Sequence, residues 1–164
     1  MYVYKKDRAK AAALYTCGAI AIGICVALIS FLVYVLHLRT EYRATCLEIN
    51  DQILISPASQ NFIQRGEDVF PMSDDLLEYY NMLLLRNDVI VFNRKECELT
   101  DKSIALHISD NRLTFTGLED GSALGIRWET SDGTKTYTVR SSVISFMQMN
   151  AYLSNYIRAQ NAAA

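Results

Sequence analysis

The chain has 164 residues, with 16 Lys and Arg against 18 Asp and Glu for a net charge of −2. That length bounds one ordinary domain plus an appendage, and the mildly acidic balance gives no basic surface for nucleic acid, so no nucleic-acid partner is expected. Four cysteines without a CxxC and two histidines offer no metal-ligand spacing, so neither a metal nor a cofactor is expected.

The chain opens on a short basic tail, residues 1–10, carrying Lys5, Lys6, Arg8 and Lys10 against Asp7. Residues 11–36 follow as AAALYTCGAIAIGICVALISFLVYVL, without a charge. A membrane core about 30 Å thick needs about 20 apolar residues in a helix. A transmembrane helix over 11–38 is therefore predicted, with residues to spare for tilt. The run exceeds the ~7–15 residues of a signal-peptide core and no A-x-A cleavage pattern follows, so the span is read as an uncleaved anchor. The type IV pilin processing site, a Gly before an apolar run with an early Glu, is absent. The basic excess on the N-terminal side places that end in the cytoplasm and the rest outside it, in the plasma or inner membrane.

Small residues are ordered within the span. Ala9, Ala13, Cys17, Ala21 and Cys25 recur every four residues and make one ridge, while Ala19, Gly23 and Ala27 make a second on roughly the opposite side. Lipid supplies no hydrophobic drive to join helices, so close backbone approach at small residues matters more. Two ridges predict helix neighbours on two sides. The absence of charge inside the span argues against an ion or proton relay.

From Arg39 on, the chain carries 12 basic and 17 acidic residues, a charge of −5. Residues 39–57 are expected to continue the helix as a stalk, with Tyr42, Cys46, Ile49 and Ile53 on one stripe and Ser56-Pro57 as its end. Residues 58–164 are expected to form an extracytoplasmic α+β domain. Residues 58–72 lose periodicity and read as an irregular connector. Ser73 is an N-cap followed by Asp74 and Asp75, opening a second helix with a core stripe of Leu76, Leu77, Tyr80, Leu83 and Leu84. Tyr79 and Met82 fall off that stripe and mark a candidate protein interface.

An antiparallel meander of about five strands comes next. Asp132-Gly133 is a hairpin signal that sets Trp128 opposite Tyr137 and Ile126 opposite Val139. An Asp110-Asn111 turn sets Ile108 against Leu113 and Leu106 against Phe115. An Asp101-Lys102 turn sets Leu99 against Ile104 and Cys97 against Leu106. The first strand, from Val89, changes face near Asn93, as a bulge would make it do. A third helix from Ser142 to about Arg158 covers the apolar face with Val143, Ile144, Phe146, Met147, Leu153, Tyr156 and Ile157.

Chemistry is sparse. His37 stands at the membrane edge, His107 points off the apolar face, and neither has a nucleophile beside it in a recognisable motif. Glu96 and Glu98 share a solvated strand face. The loop over 117–121 lacks the spacing of a calcium site. Cys17 and Cys25 read as packing residues; Cys46 and Cys97, outside the cytoplasm, are a candidate disulfide.

These features predict a non-enzymatic single-pass subunit whose partners are the lipid bilayer and other membrane subunits or copies of itself. It would assemble through its span and present a small domain for protein–protein interaction in an envelope complex. A second class is an extracytoplasmic module that binds or senses a ligand or peptide. The order of elements, an apolar N-terminal helix running into an amphipathic segment and then an antiparallel sheet, resembles the plan of pilin-like subunits of pili and secretion machines. That resemblance implies a filament or secretion-machine subunit with its N-terminal helices packed together.

Overall fold

A computed structural model describes residues 2–86, 88–93, 102–117, 123–141 and 144–163. The chain forms two compact units, Met1–His37 and Leu38–Ala164. The first consists of helix α1 (Tyr2–Ile55) up to His37. Its described side chains from Lys10 to Tyr34 are all exposed.

The second unit is α+β. It holds residues 38–55 of α1 and then β1 (Phe62–Arg65), β2 (Asp68–Pro71), α2 (Asp74–Leu84) and β3 (Val89–Asn93). β4 (Ser103–Ile108), β5 (Asn111–Gly117), β6 (Leu124–Thr130), β7 (Gly133–Ser141) and α3 (Phe146–Ala163) complete it. Among the described residues this makes three α-helices and one seven-stranded antiparallel sheet of order β2-β1-β4-β5-β6-β7-β3. The mixed class is the expected one; seven strands replace the expected five.

The two extra strands lie in the stretch read as a connector. β1 and β2 form a hairpin closed at Arg65↔Asp68, with Gly66 at φ +63°, a conformation that glycine adopts without a Cβ clash. β2 is a sheet edge and ends on Pro71, which lacks the N–H that a central strand would need. β1 in turn pairs with β4, setting Ile63 against Leu106 and Arg65 against Ile104. β5 holds the other edge of β4. Both edges of β4 are thus taken, by β1 and β5, and Leu99 and Cys97, expected to pair with Ile104 and Leu106, lie outside the described residues. Residues 94–101 themselves, with Glu96, Cys97 and Glu98, lie outside the described residues, as do 118–122 of the loop considered for calcium. β3 occupies the far edge beside β7, with a register shift between Val91 and Asn93 where the face change was expected.

Both other hairpins are shifted by two residues from the expected register. Ile108 pairs with Asn111 and Leu106 with Leu113; Thr130 pairs with Gly133 and Ile126 with Tyr137. Trp128 therefore lies across from Lys135. The corners are Ser109-Asp110 and Ser131-Asp132, one position upstream of the Asp-Asn and Asp-Gly pairs. Ser109 takes φ +53°, which costs a non-glycine residue roughly 1 kcal/mol. Its N–H donates to Asn61 Oδ1 at 3.2 Å, which holds the turn there. At the other turn Asp132 N–H donates to Thr130 Oγ1 at 3.2 Å, and Gly133 follows at φ +137°. A shift of two leaves every side chain on its face, so Leu106, Leu113, Phe115, Ile126, Trp128 and Val139 all enter the core as expected.

All three helices bury side chains against that face. α2 starts as predicted: Ser73 Oγ accepts from Leu76 N–H, and Leu76, Leu77, Tyr80, Leu83 and Leu84 are buried. α3 starts at Phe146 rather than Ser142, with Ser145 Oγ accepting from Gln148 N–H. From that start Met149, Leu153, Tyr156 and Ile157 share the inner face, and Met147 points out at 80% exposure. Val143 lies outside the described residues. Residues 38–55 of α1 pack as a core helix of this unit: Leu38, Tyr42, Cys46, Ile49 and Ile53 are all buried.

A polar line runs beside that stripe and ties α1 to the sheet. Thr45 Oγ1 shares a hydrogen bond with Tyr137 OH at 2.9 Å. Glu48 accepts from Trp128 Nε1 at 3.0 Å and from Lys135 Nζ at 2.6 Å. Burial acts to raise the Glu48 pKa, but the Lys135 and Trp128 hydrogen bonds and the Lys135 charge outweigh it and hold it below the usual value. Gln52 Oε1 accepts from Asn111 Nδ2, and Ser56 Oγ donates to buried Asn61.

Tyr80 is wholly buried and its hydroxyl has no hydrogen-bond partner among the described residues. An unmet buried hydroxyl costs about 1–3 kcal/mol. Tyr80→Phe is expected to hold or raise stability by about 1 kcal/mol, and Ile49→Ala to lower it by about 2–5 kcal/mol. Unfolding followed by the fluorescence of Trp128, the one tryptophan, measures both; a clear loss in Tyr80→Phe would show that the hydroxyl is bonded.

Candidate functional site

One helix among the described residues is long and apolar enough to cross a membrane, with a window of mean hydropathy 2.8 that is wholly unburied. It carries the predicted ridge residues Ala13, Cys17, Ala21 and Cys25 and, on the second ridge, Ala19, Gly23 and Ala27. All are exposed. A Cβ built on Gly23 meets nothing within 4 Å, so the notch there is open to a neighbouring backbone. Ile22, Val26, Ile29 and Val33 recur at spacings of four, three and four and form a bulky stripe between the ridges. Tyr15 and Tyr34 stand nineteen residues apart, about 28 Å along the helix and close to the thickness of a bilayer core.

The predicted interface pair on α2 is divided. Met82 is 60% exposed. Tyr79 instead stacks on Tyr152 of α3, with ring centroids 3.7 Å apart and planes 10° from parallel, and meets Tyr80 edge-on. Tyr79 is thus partly buried within the chain. Cys46 is a buried free thiol, and Cys97, its expected partner, lies outside the described residues. Burial pushes that thiol up to about 11, against a hydrogen bond with Tyr42 that lowers it.

The sheet face away from the helices carries a polar row. Phe62, His107, Arg112 and Glu129 are neighbours across β1, β4, β5 and β6. His107 stacks on Phe62 at 4.1 Å, and its Nε2 lies 3.2 Å from Gln64 Oε1. Burial and then the Arg112 charge lower its pKa, with Glu129 opposing. Glu129 is engaged by Arg127 at 2.9 Å and Arg112 at 3.9 Å. The row holds itself together, and no Ser or Cys nucleophile stands against the imidazole among the described residues.

Among the described residues, the cavities on the second unit include three that bear on function. One of about 540 Å³ lies between α1 and β7, lined by Glu41, Thr45, Lys135 and Tyr137 among others. A polar one of about 740 Å³ lies by the two Ser-Asp turns and holds Glu48, Asp110, Glu129 and Asp132. Glu48 and Glu129 there are already paired with cations. A third, of about 210 Å³, counts Arg39, Arg43 and Arg86 among its lining residues. Sequence reasoning missed it because it needs α1, α2 and β3 brought together; Arg39 and Arg43 alone read as charges flanking a span. No group of three or more His, Cys, Asp or Glu among the described residues is placed to hold a metal. No protein family, curated protein or solved structure matches the chain.

Two outcomes follow. Cys46 is expected to resist alkylation in the folded protein at mildly alkaline pH and to react on unfolding, as read by peptide mass mapping; ready labelling of folded protein would show the site to be open. The His107 imidazole is expected to titrate below 6.5 by NMR. Its neutral form then contributes stability that is present above about 6.5 and lost as the pH falls through the lower folded value. A midpoint at or above 6.5 would contradict the packing of Phe62 and Gln64 around the ring.

Proposed function

We propose that the chain is a non-enzymatic single-pass membrane subunit. In this reading residues 11–38 anchor it, the N-terminus is cytoplasmic, and the domain from residue 38 on is presented outside the cytoplasm for protein–protein contact in an envelope complex. The observation that supports this most is the unburied apolar helix with two opposed ridges of small residues. A water-soluble protein rarely leaves so large an apolar surface uncovered, and in lipid such ridges are where helices meet. The charge of the tail supports the orientation. The reading takes other membrane subunits or further copies of the chain as partners.

The pilin-like reading is the second. It is favoured by one feature of α1: residues 38–55 of the same 54-residue helix that carries the apolar run form a core helix of an antiparallel-sheet domain. Filaments visible by electron microscopy would select it over a discrete complex.

The test is substitution of both ridges. Ala21→Leu together with Gly23→Leu is expected to weaken association in mild detergent about tenfold, or about 1.4 kcal/mol. The readout is the mass of the complex and its co-purifying companions. Ile22→Leu, on the bulky stripe, is expected to leave them unchanged. Full retention of the complex in the double variant would overturn assembly through the ridges.

A further inference from the structure

β2 and β3 end the seven-stranded sheet, and the two edges differ. β2 has four residues, with Asp68 at one end and Pro71 at the other. Shortness, charge and proline are the devices that keep a foreign strand off a sheet edge. β3 reads VIVFN and has neither charge nor proline. Among the described residues it pairs with β7 alone, and its register is regular from Val89 to Val91. Val89 and Val91 are buried and Ile90 is 57% exposed, so the strand is apolar on both faces.

A recess stands beside this edge. Val89, the first residue of β3, lines the 210 Å³ cavity together with Arg39, Arg43, Leu47, Leu85 and Arg86 among others. The two leucines are half exposed. Arg86 donates to Asp88 through Nε at 2.9 Å, and Arg39 has a partner of its own. Arg43 makes no hydrogen bond or ion pair among the described residues. The recess is smaller than the ~300 Å³ at which pockets for drug-sized ligands begin, and suits a single side chain. Side chains alternate along a strand, so a strand laid on β3 sets every second side chain on the Val89 face. Cross-strand neighbours there are about 4.5–5.5 Å apart at Cβ. The residue opposite Val89 then stands at the recess. Three arginines, in a domain whose charge is −5, favour a carboxylate there.

We propose that an extended segment of a partner subunit adds to the sheet along β3 and places an acidic side chain in the recess. Arg43 holds the carboxylate, and Leu47 and Leu85 contact the methylenes behind it. Main-chain hydrogen bonds to β3 supply affinity, and the recess selects the sequence. The inference rests on the reading of this domain as a protein-contact module.

The experiment uses the full chain in mild detergent and the peptide fluorescein-Thr-Val-Glu-Leu-Val-Thr-amide, with binding read by fluorescence anisotropy. Replacing the peptide's Glu by Gln is expected to weaken binding about tenfold. Methylating its backbone nitrogens is expected to weaken binding at least as much, because a strand without N–H groups cannot complete a ladder. Arg43→Gln is expected to remove the preference for Glu, and Arg158→Gln, on exposed α3 surface, to keep it. Unfolding followed at Trp128 confirms that the variants are folded. Equal binding of the Glu and Gln peptides, full binding of the methylated peptide, or a preference that survives loss of Arg43 would overturn the proposal. So would displacement of the peptide by an equal concentration of inorganic phosphate, which would make the recess a simple anion site. Co-purification from native membranes tests the wider reading separately. A chain that comes alone contradicts the protein-contact reading itself, whereas a chain that brings companions but shows no peptide preference contradicts only the β3 site.

Discussion

Residues 38–55 of α1 supply one stripe against which the folded domain is set. Leu38, Tyr42, Cys46, Ile49 and Ile53 join α2 and α3 in covering the sheet's apolar face, the neighbouring line of Thr45, Glu48 and Gln52 binds the sheet, and Ser56 bonds Asn61 just before β1. The apolar stripe supplies most of the free energy, because burying a large aliphatic side chain contributes about 1.5–3 kcal/mol. The polar line supplies registry. A helix slid by one turn would leave Trp128 Nε1, Tyr137 OH and Glu48 buried or half-buried without partners, at a cost comparable to the gain from the stripe. Glu48 shows this directly, since the hydrogen bonds from Lys135 and Trp128 and the Lys135 charge hold its pKa below the usual carboxylate value against the opposing effect of burial.

Asn61 extends the same constraint to the end of the helix. It is buried, its Oδ1 accepts from Ser56 Oγ at 2.7 Å and from the Ser109 N–H, and its carbonyl accepts from Met72 N–H. One residue, through its side chain and its backbone carbonyl, thus joins the end of α1, the segment after the β1–β2 hairpin and the β4–β5 turn. That junction explains why Ser109 is held in a left-handed conformation that Asn111, two positions on, would adopt more readily.

Much of the domain was legible where the signal is local. The Ser73 cap and the α2 stripe depend on residues within a few positions of each other, and they hold residue by residue. The hairpin faces were legible because apolar alternation fixes them, but the turn corners were not. Asp-Asn and Asp-Gly attract the turn assignment, while the chain bends one residue earlier at Ser109-Asp110 and Ser131-Asp132, helped by Asn61 and Thr130. The β1–β2 hairpin was missed because its strands are four residues each and their alternation is too short to stand out from the Gly66 and Pro71 breaks. The placement of β1 beside β4 and of β3 beside β7 is long-range pairing, which no local pattern encodes. Met147 was misplaced because the α3 start lies four residues past Ser142. Of the candidate site, the ridges were legible as spacing along one helix. The three-arginine recess and the Tyr79–Tyr152 stack were not, since each joins segments far apart in sequence.

The apolar N-terminal part of α1 is the element from which the functional reading grows, and its two ridges make a claim about direction. A single photo-crosslinking residue placed in turn at each position from 13 to 29, in native membranes, tests that claim most directly. The account predicts protein adducts at Ala13, Cys17, Ala21 and Cys25 and at Ala19, Gly23 and Ala27, with lipid adducts at Ile22, Val26 and Ile29. Protein adducts spread evenly around the helix, or lipid adducts at every position, would contradict assembly through the small-residue ridges.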